Sequence, residues 1–169
     1  CGYNTVGAAY ESSIFTNRRV QSPVINPVAA GVVGPLTLEF DFIGGGDGTT
    51  DKGYFQYSLD GGTNWISPND VPTFSPAAAG GANLNNLKSN NGPCAPQGQW
   101  THVTWTMPAA CATTTLLRIA FVWQSNNDAT GTDPSIAIDD VRITWQSGGG
   151  GPVASNWTGA TSSAWNTTT

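Results

Sequence analysis

The stretch PLTLEFDFI, residues 35–43, alternates without a break. Leu36, Leu38, Phe40 and Phe42 fall on one side of an extended chain, and Thr37, Glu39 and Asp41 fall on the other, because successive strand side chains point to opposite faces. A strand with one apolar and one polar face belongs to a sheet that packs on one side and is wet on the other, as antiparallel sheets commonly are. Shorter runs of the same kind recur between clusters of Gly, Pro, Asn and Asp, and nowhere does a period of 3.6 persist over ten or more residues. The expected fold is therefore all-β.

Working outward, RVQSPVI (19–25) reads as an edge strand interrupted by Pro23, which cannot donate to a ladder. GYFQYSLDGGTNWI (53–66) reads as a hairpin: Phe55, Tyr57 and Leu59 alternate up to Asp60-Gly61-Gly62, whose glycines accept the positive φ of a tight turn, and Trp65 resumes beyond. Residues 67–99 show little periodicity and read as a surface excursion. Three strands close the series, WTHVTWTM, TLLRIAFVWQ and PSIAIDDVRITW. The first two carry apolar groups on both faces and are expected in central positions. Seven or eight antiparallel strands with irregular loops fit a two-sheet sandwich of jelly-roll, concanavalin-like type.

The last strand holds adjacent carboxylates. Strict alternation puts Ala137, Asp139, Val141 and Ile143 on one face and Ile136, Ile138, Asp140 and Arg142 on the other, so one carboxylate is expected to look inward. An inward carboxylate needs a partner, since an unpaired buried charge costs several kcal/mol even after relaxation. A bound cation for Asp139, and Arg118 or Arg142 for Asp140, would meet that need.

Six Lys and Arg stand against eleven Asp and Glu, a formal net charge of −5, which disfavours nucleic acid and anionic membrane as partners. Charged residues are 10% of the chain against roughly 25% in typical soluble domains. With 21 Gly, 11 Pro and seven Trp, the composition is that of a secreted β protein rich in turns. No run approaches the roughly 18 apolar residues of a membrane span. The three cysteines, Cys1, Cys94 and Cys111, match no zinc or CxxC spacing. Cys94 and Cys111 flank a loop and one strand, so a disulfide between them is one expectation, worth about 3 kcal/mol by loop entropy; two buried thiols are the alternative. Cys1 is left for a partner elsewhere.

The chemical inventory is thin. His102 is the single histidine and lies mid-strand. No GxSxG, HExxH or glycine-rich phosphate loop occurs. Glu39 and Asp41 share a face as a glycosidase pair would, but a solvated strand face explains them at less cost. The loops GGGDGTTDKGY, with Asp47 and Asp51, and NNDATGTDPS, with Asp128 and Asp133, offer the oxygen-rich, glycine-permissive setting that Ca²⁺ uses, without the EF-hand pattern. Turn-forming Asp and Asn occupy such loops for their own hydrogen bonds as well.

FQYSLDGGTNW, then LLRIAFVWQS, then DPSIAIDDVRI resembles the order of motifs in secreted bacterial jelly-roll modules similar to MAM and reelin-type repeats. Those modules carry S-x-D-G-G-x-x-W, R-[IF]-x-F-x-W and A-[IL]-D-[DN]-[VI] in succession. The resemblance covers residues 17–145, and the segment before Asn17 departs from it by lacking a P-G-W run. The tail ASNWTGATSSAWN is similar to the opening of repeats in long Bacteroidota surface proteins exported by the type IX system, gliding adhesins among them. The resemblance implies a non-catalytic extracellular module with a structural Ca²⁺ near the closing strand. The matching acid is Asp139, followed by Asp140, with Asp47 and Asp51 in the matching loop.

The expected organisation is an N-terminal segment over 1–16, a first or docking strand; a sandwich over 17–146; and a Gly-rich linker over 147–169 that begins a following module or supplies a docking strand. The expected function is a structural or adhesive module of a bacterial cell-surface protein, partnered by other copies or modules of that protein. Two alternatives are a carbohydrate-binding module, with Tyr54, Trp65, Trp100 and Trp123 as candidate platforms for glycans, and a filament subunit joined by strand addition.

Overall fold

The computed structural model describes residues 14–44, 52–68, 100–127, 136–148 and 152–156, the last by backbone alone. In chain order these form β1 (Thr16–Gln21), β2 (Val32–Gly44), β3 (Lys52–Ser58), β4 (Thr101–Thr106), α1 (Ala109–Thr113), β5 (Arg118–Ser125), β6 (Ile136–Ser147) and β7 (Pro152–Asn156). One sheet has the order β1-β5-β3 and the other β4-β2-β6-β7, with every described ladder antiparallel. The two pack face to face, so the all-β sandwich expected from the alternation is the architecture found.

β2 is the spine of the larger sheet and does what its pattern dictates. Leu36, Leu38, Phe40 and Phe42 are at most 2% exposed, while Thr37, Glu39 and Asp41 turn to the opposite face. Facing them from the smaller sheet are Phe55 and Tyr57 of β3 and Ile119 and Phe121 of β5. An aromatic cluster joins the sheets: Phe40 meets Phe121 edge-on at 4.9 Å, and Phe55 meets Phe121 at 5.5 Å and Trp105 of β4 at 5.3 Å. Each such side chain contributes about 1.5–3 kcal/mol by leaving water, and edge-to-face pairs add about 0.5–1.5 kcal/mol. Burial of Tyr57 within this cluster raises its phenol to about 12, with the Cys111 thiol as a second cause.

Several expectations are corrected. The first strand is Thr16–Gln21 and stops before Pro23; Ile25 makes only an isolated bridge to Leu117. The turn Asp60-Gly61-Gly62 forms, with φ of 77° and 100° at its glycines, yet the chain beyond returns only one bridge, Ile66 to Tyr57. The long partner of β3 is β5. β5 is central as expected, whereas β4 lies at a sheet edge among the described residues. Its His102, Thr104 and Thr106 are exposed, and Val103 and Trp105 supply its buried face. Residues 152–156, within the segment expected to be a linker, the start of a following module or a docking strand, pair with β6 as β7.

Gly53 lets the two sheets approach closely at Ile136. A Cβ there would overlap Cδ1 of Ile136 on the facing sheet, so a larger residue would require the Ile136 side chain to move. Asp47, Asp51, Cys1, Cys94, Asp128 and Asp133 lie outside the described residues.

Candidate functional site

The outer face of the larger sheet gathers Glu39, Asp41, His102, Asp139 and Arg142, and the ladders set them in rows. One row runs Thr106, Thr37, Thr144; the next Thr104, Glu39, Arg142; the third His102, Asp41, Asp139. Glu39 accepts from Nε of Arg142 at 2.8 Å and also from its Nη2. Asp41 Oδ1 lies 2.6 Å from His102 Nδ1, which donates to it, and Thr104 Oγ1 lies 3.3 Å from His102 Nε2. Each acid of β2 thus reaches a base on a neighbouring strand: Glu39 to β6, Asp41 to β4. Trp100, 46% exposed, precedes β4 and shares the exposed parity of His102, Thr104 and Thr106.

The acids of β6 behave otherwise than strict alternation requires. Between the Glu39 and Asp41 pairings the register shifts by one residue, and Asp140 takes φ 49°, the only positive φ of a described non-glycine residue. This is a β-bulge: one extra residue, left-handed backbone and a change of face. Asp and Asn enter that region more readily than most residues. Upstream of the bulge Ile136 and Ile138 face the other sheet; downstream Val141 and Ile143 do, at 1% and 3% exposure. Asp139 and Asp140 are both exposed, and Asp139 Oδ1 accepts the Asp140 N–H at 2.8 Å. The inward carboxylate expected from alternation does not exist. The arginines proposed for Asp140 are otherwise engaged, Arg142 with Glu39 and Arg118 donating to the Ser22 carbonyl at 3.2 Å.

Across the molecule, the motif Ser58–Trp65 builds a self-contained turn. Asp60 accepts the Ser58 hydroxyl at 2.7 Å, the Asn64 backbone N–H at 2.9 Å and the Asn64 amide at 2.6 Å, while Ser58 Oγ accepts the Gly62 N–H at 2.8 Å. The Asn64 N–H and the Ser58 hydroxyl hold the Asp60 carboxyl down at about 2. Trp65 leaves this turn to lie under Arg19, whose guanidinium carbon is 4.4 Å from the ring centroid, and Arg19 also donates to Gln56 Oε1 at 2.9 Å. That cation–π contact explains why Trp65 is half-buried without entering the core. Tyr54 and Trp123 are likewise half-buried.

Cys111 is a free thiol with no exposed surface, on the buried side of α1. Burial pushes it up to about 12. Among the described residues no group of three or more His, Cys, Asp and Glu side chains converges as a metal site, and no helix is long and apolar enough to cross a membrane. The His102–Asp41 contact and the Arg19–Trp65 stack went unread in the sequence; their partners are distant in the chain, and only outward parity on neighbouring strands could have hinted at the first. Comparison with protein family models, with curated proteins and with solved structures gives no match.

Proposed function

We propose that this sandwich is a non-catalytic structural or adhesive module of an extracellular bacterial surface protein. The observation that carries it is the cross-strand pairing of the outer face: Glu39 with Arg142 and Asp41 with His102 tie three strands together. Acids held this way brace a sheet. The order Thr104, His102, Asp41 matches a nucleophile, base and orienting acid in sequence of contact, but it lies on a sheet face where His102 is 58% exposed, open to bulk water. The turn-and-strand motifs that resemble secreted jelly-roll modules, and a composition low in charge and high in Gly and Trp, support the extracellular setting.

The test is an assay against polysaccharides and simple esters with the wild-type chain and with Glu39→Gln, Asp41→Asn and His102→Ala. Substitutions that lower the melting temperature and leave no activity to lose support the module. A hydrolase activity abolished by any of them overturns it.

A structural Ca²⁺ at Asp139 and Asp140, completed by Asp47 and Asp51, belongs to the same proposal. The donor chemistry suits a hard cation, since all are carboxylates. Asp139 and Asp41 face one another with like charge, and a cation beside Asp139 would relieve that repulsion. Calcium at a hundred times its dissociation constant would add about 2.7 kcal/mol. A melting temperature unchanged by chelator would reject the ion. A glycan-binding reading is favoured separately by Trp100, which is 46% exposed and two residues before His102 in the chain; a glycan array with no hit above background would reject it.

A further inference from the structure

The smaller sheet ends on one side at β1, and among the described residues nothing pairs with its outer edge. The Ser22 N–H donates to the Ile119 carbonyl at 2.9 Å. By the alternation of an antiparallel ladder, Val20, Arg18 and Thr16 also turn their backbone groups toward β5, which leaves the N–H and C=O of Asn17, Arg19 and Gln21 facing outward. That row, unpaired among the described residues, is a template for another extended chain.

Behind the edge, the two sheets part over a cleft of about 360 Å³, walled by Val20, Phe121, Trp123, Ile136 and Ile138, with Arg18 beside them. Val20 remains 45% exposed there, and Ile14 and Phe15, just before β1, are 58% and 65% exposed. Exposed apolar side chains beside an open strand edge give an added chain surface to bury.

The charges of β1 select the occupant. Arg19 is committed on the outer face to Trp65 and Gln56. Arg18, on the cleft side with Val20, has no hydrogen bond or ion pair among the described residues. The two most nearly centred antiparallel pairings with β1 of a second copy would set Arg18 against the copy's Arg18, or Arg19 against the copy's Arg19, and like charges directly opposite destabilise a sheet. An acidic chain suffers no such penalty.

We propose that the free edge of β1 takes up an extended acidic and apolar peptide segment of a partner by strand addition. Apolar side chains of the segment enter the cleft against Val20, Phe121 and Ile138, and a carboxylate on the same face of the segment meets Arg18. The proposal rests on strand order, cleft and charge, independently of the surface-module reading.

The experiment titrates the full chain with the synthetic peptide acetyl-TVTVTET-amide and with its lysine counterpart acetyl-TVTVTKT-amide. The acidic peptide should bind about tenfold more tightly than the lysine peptide, Arg18→Glu should reverse that preference, and Gln21→Pro should weaken both by about tenfold. Gln21→Pro removes only an outward-facing donor, so the β1–β5 ladder persists; Arg18→Glu is the second variant, which leaves the backbone untouched. Equal binding of the two peptides, or binding indifferent to Gln21→Pro, overturns the proposal. So does absence of binding together with protection of the Asn17, Arg19 and Gln21 amides from hydrogen exchange in the chain alone, which would mean that the chain covers its own edge.

Discussion

Asp139 stands directly opposite Asp41 in the β2–β6 ladder, and among the described residues the one base paired to either is His102, 2.6 Å from Asp41 Oδ1. Like charges directly opposite each other destabilise a sheet, and an exposed pair such as His102–Asp41 contributes at most about 1 kcal/mol. His102→Ala should therefore cost about 0.5–1 kcal/mol, because it removes the ring N–H that Asp41 accepts while Asp139 still faces it. Asp139→Asn should be stabilising in the His102→Ala background and closer to neutral in the wild type. Urea unfolding of the four proteins in this cycle reads the coupling. Equal effects of Asp139→Asn in both backgrounds would show that the row does not act as a unit.

The bulge beside this pair supplies a second prediction. Asp140 holds φ 49°, a region that costs an ordinary residue about 1–2 kcal/mol and glycine nothing. Asp140→Gly should stabilise the domain by about 0.5–1 kcal/mol, after the entropy that glycine adds to the unfolded chain is deducted. Asp140→Val should destabilise it by more than that. If Asp140→Gly instead costs stability in calcium and is neutral in chelator, the carboxylate is serving a cation and the gain in backbone strain is the lesser term.

How far the sequence could be read follows from which features are local. The inward set Leu36, Leu38, Phe40 and Phe42 is legible because alternation within one strand needs no knowledge of its neighbours. The Asp60-Gly61-Gly62 turn is legible because its positive φ demands glycine. Asp139 and Asp140 were misread because a period of two admits no extra residue, and a bulge shifts every side chain after it to the other face. The edge position of β4 and the meeting of His102 with Asp41 depend on register between strands some sixty residues apart, which no local pattern encodes. Arg142 finding Glu39 is of the same kind.

Acid should unfold the domain partly through Asp60. Its carboxyl sits at about 2 in the fold because the Asn64 N–H and the Ser58 hydroxyl bind the charged form, against an ordinary value near 3.8. A group lowered by folding stabilises above its unfolded value, and that contribution is lost as the pH falls from about 4 through about 2. Asp60→Asn should flatten the stability profile in that window and leave the profile above pH 5 parallel to wild type. A wild-type slope between pH 4 and 2 that survives the substitution unchanged would assign the acid sensitivity to other carboxylates.

Cys111 yields the sharpest chemical prediction. Its thiol has no exposed surface and burial holds it at about 12, so almost no thiolate exists at neutral pH, and thiolate is the reactive form. In the native protein Cys111 should resist iodoacetamide at pH 8, and in denaturant without reductant it should label at the rate of an ordinary free thiol. Mass spectrometry of the peptide that carries Cys111 reads both outcomes. Protection from label in denaturant until reductant is added would mean that Cys111 is joined to another cysteine, Cys94 being the partner expected from the loop it closes. As a free thiol it acts as a small apolar group of the core beside Tyr57, and Cys111→Ala should cost about 1 kcal/mol for the lost packing, with Cys111→Ser costing more because its hydroxyl enters the same apolar surroundings.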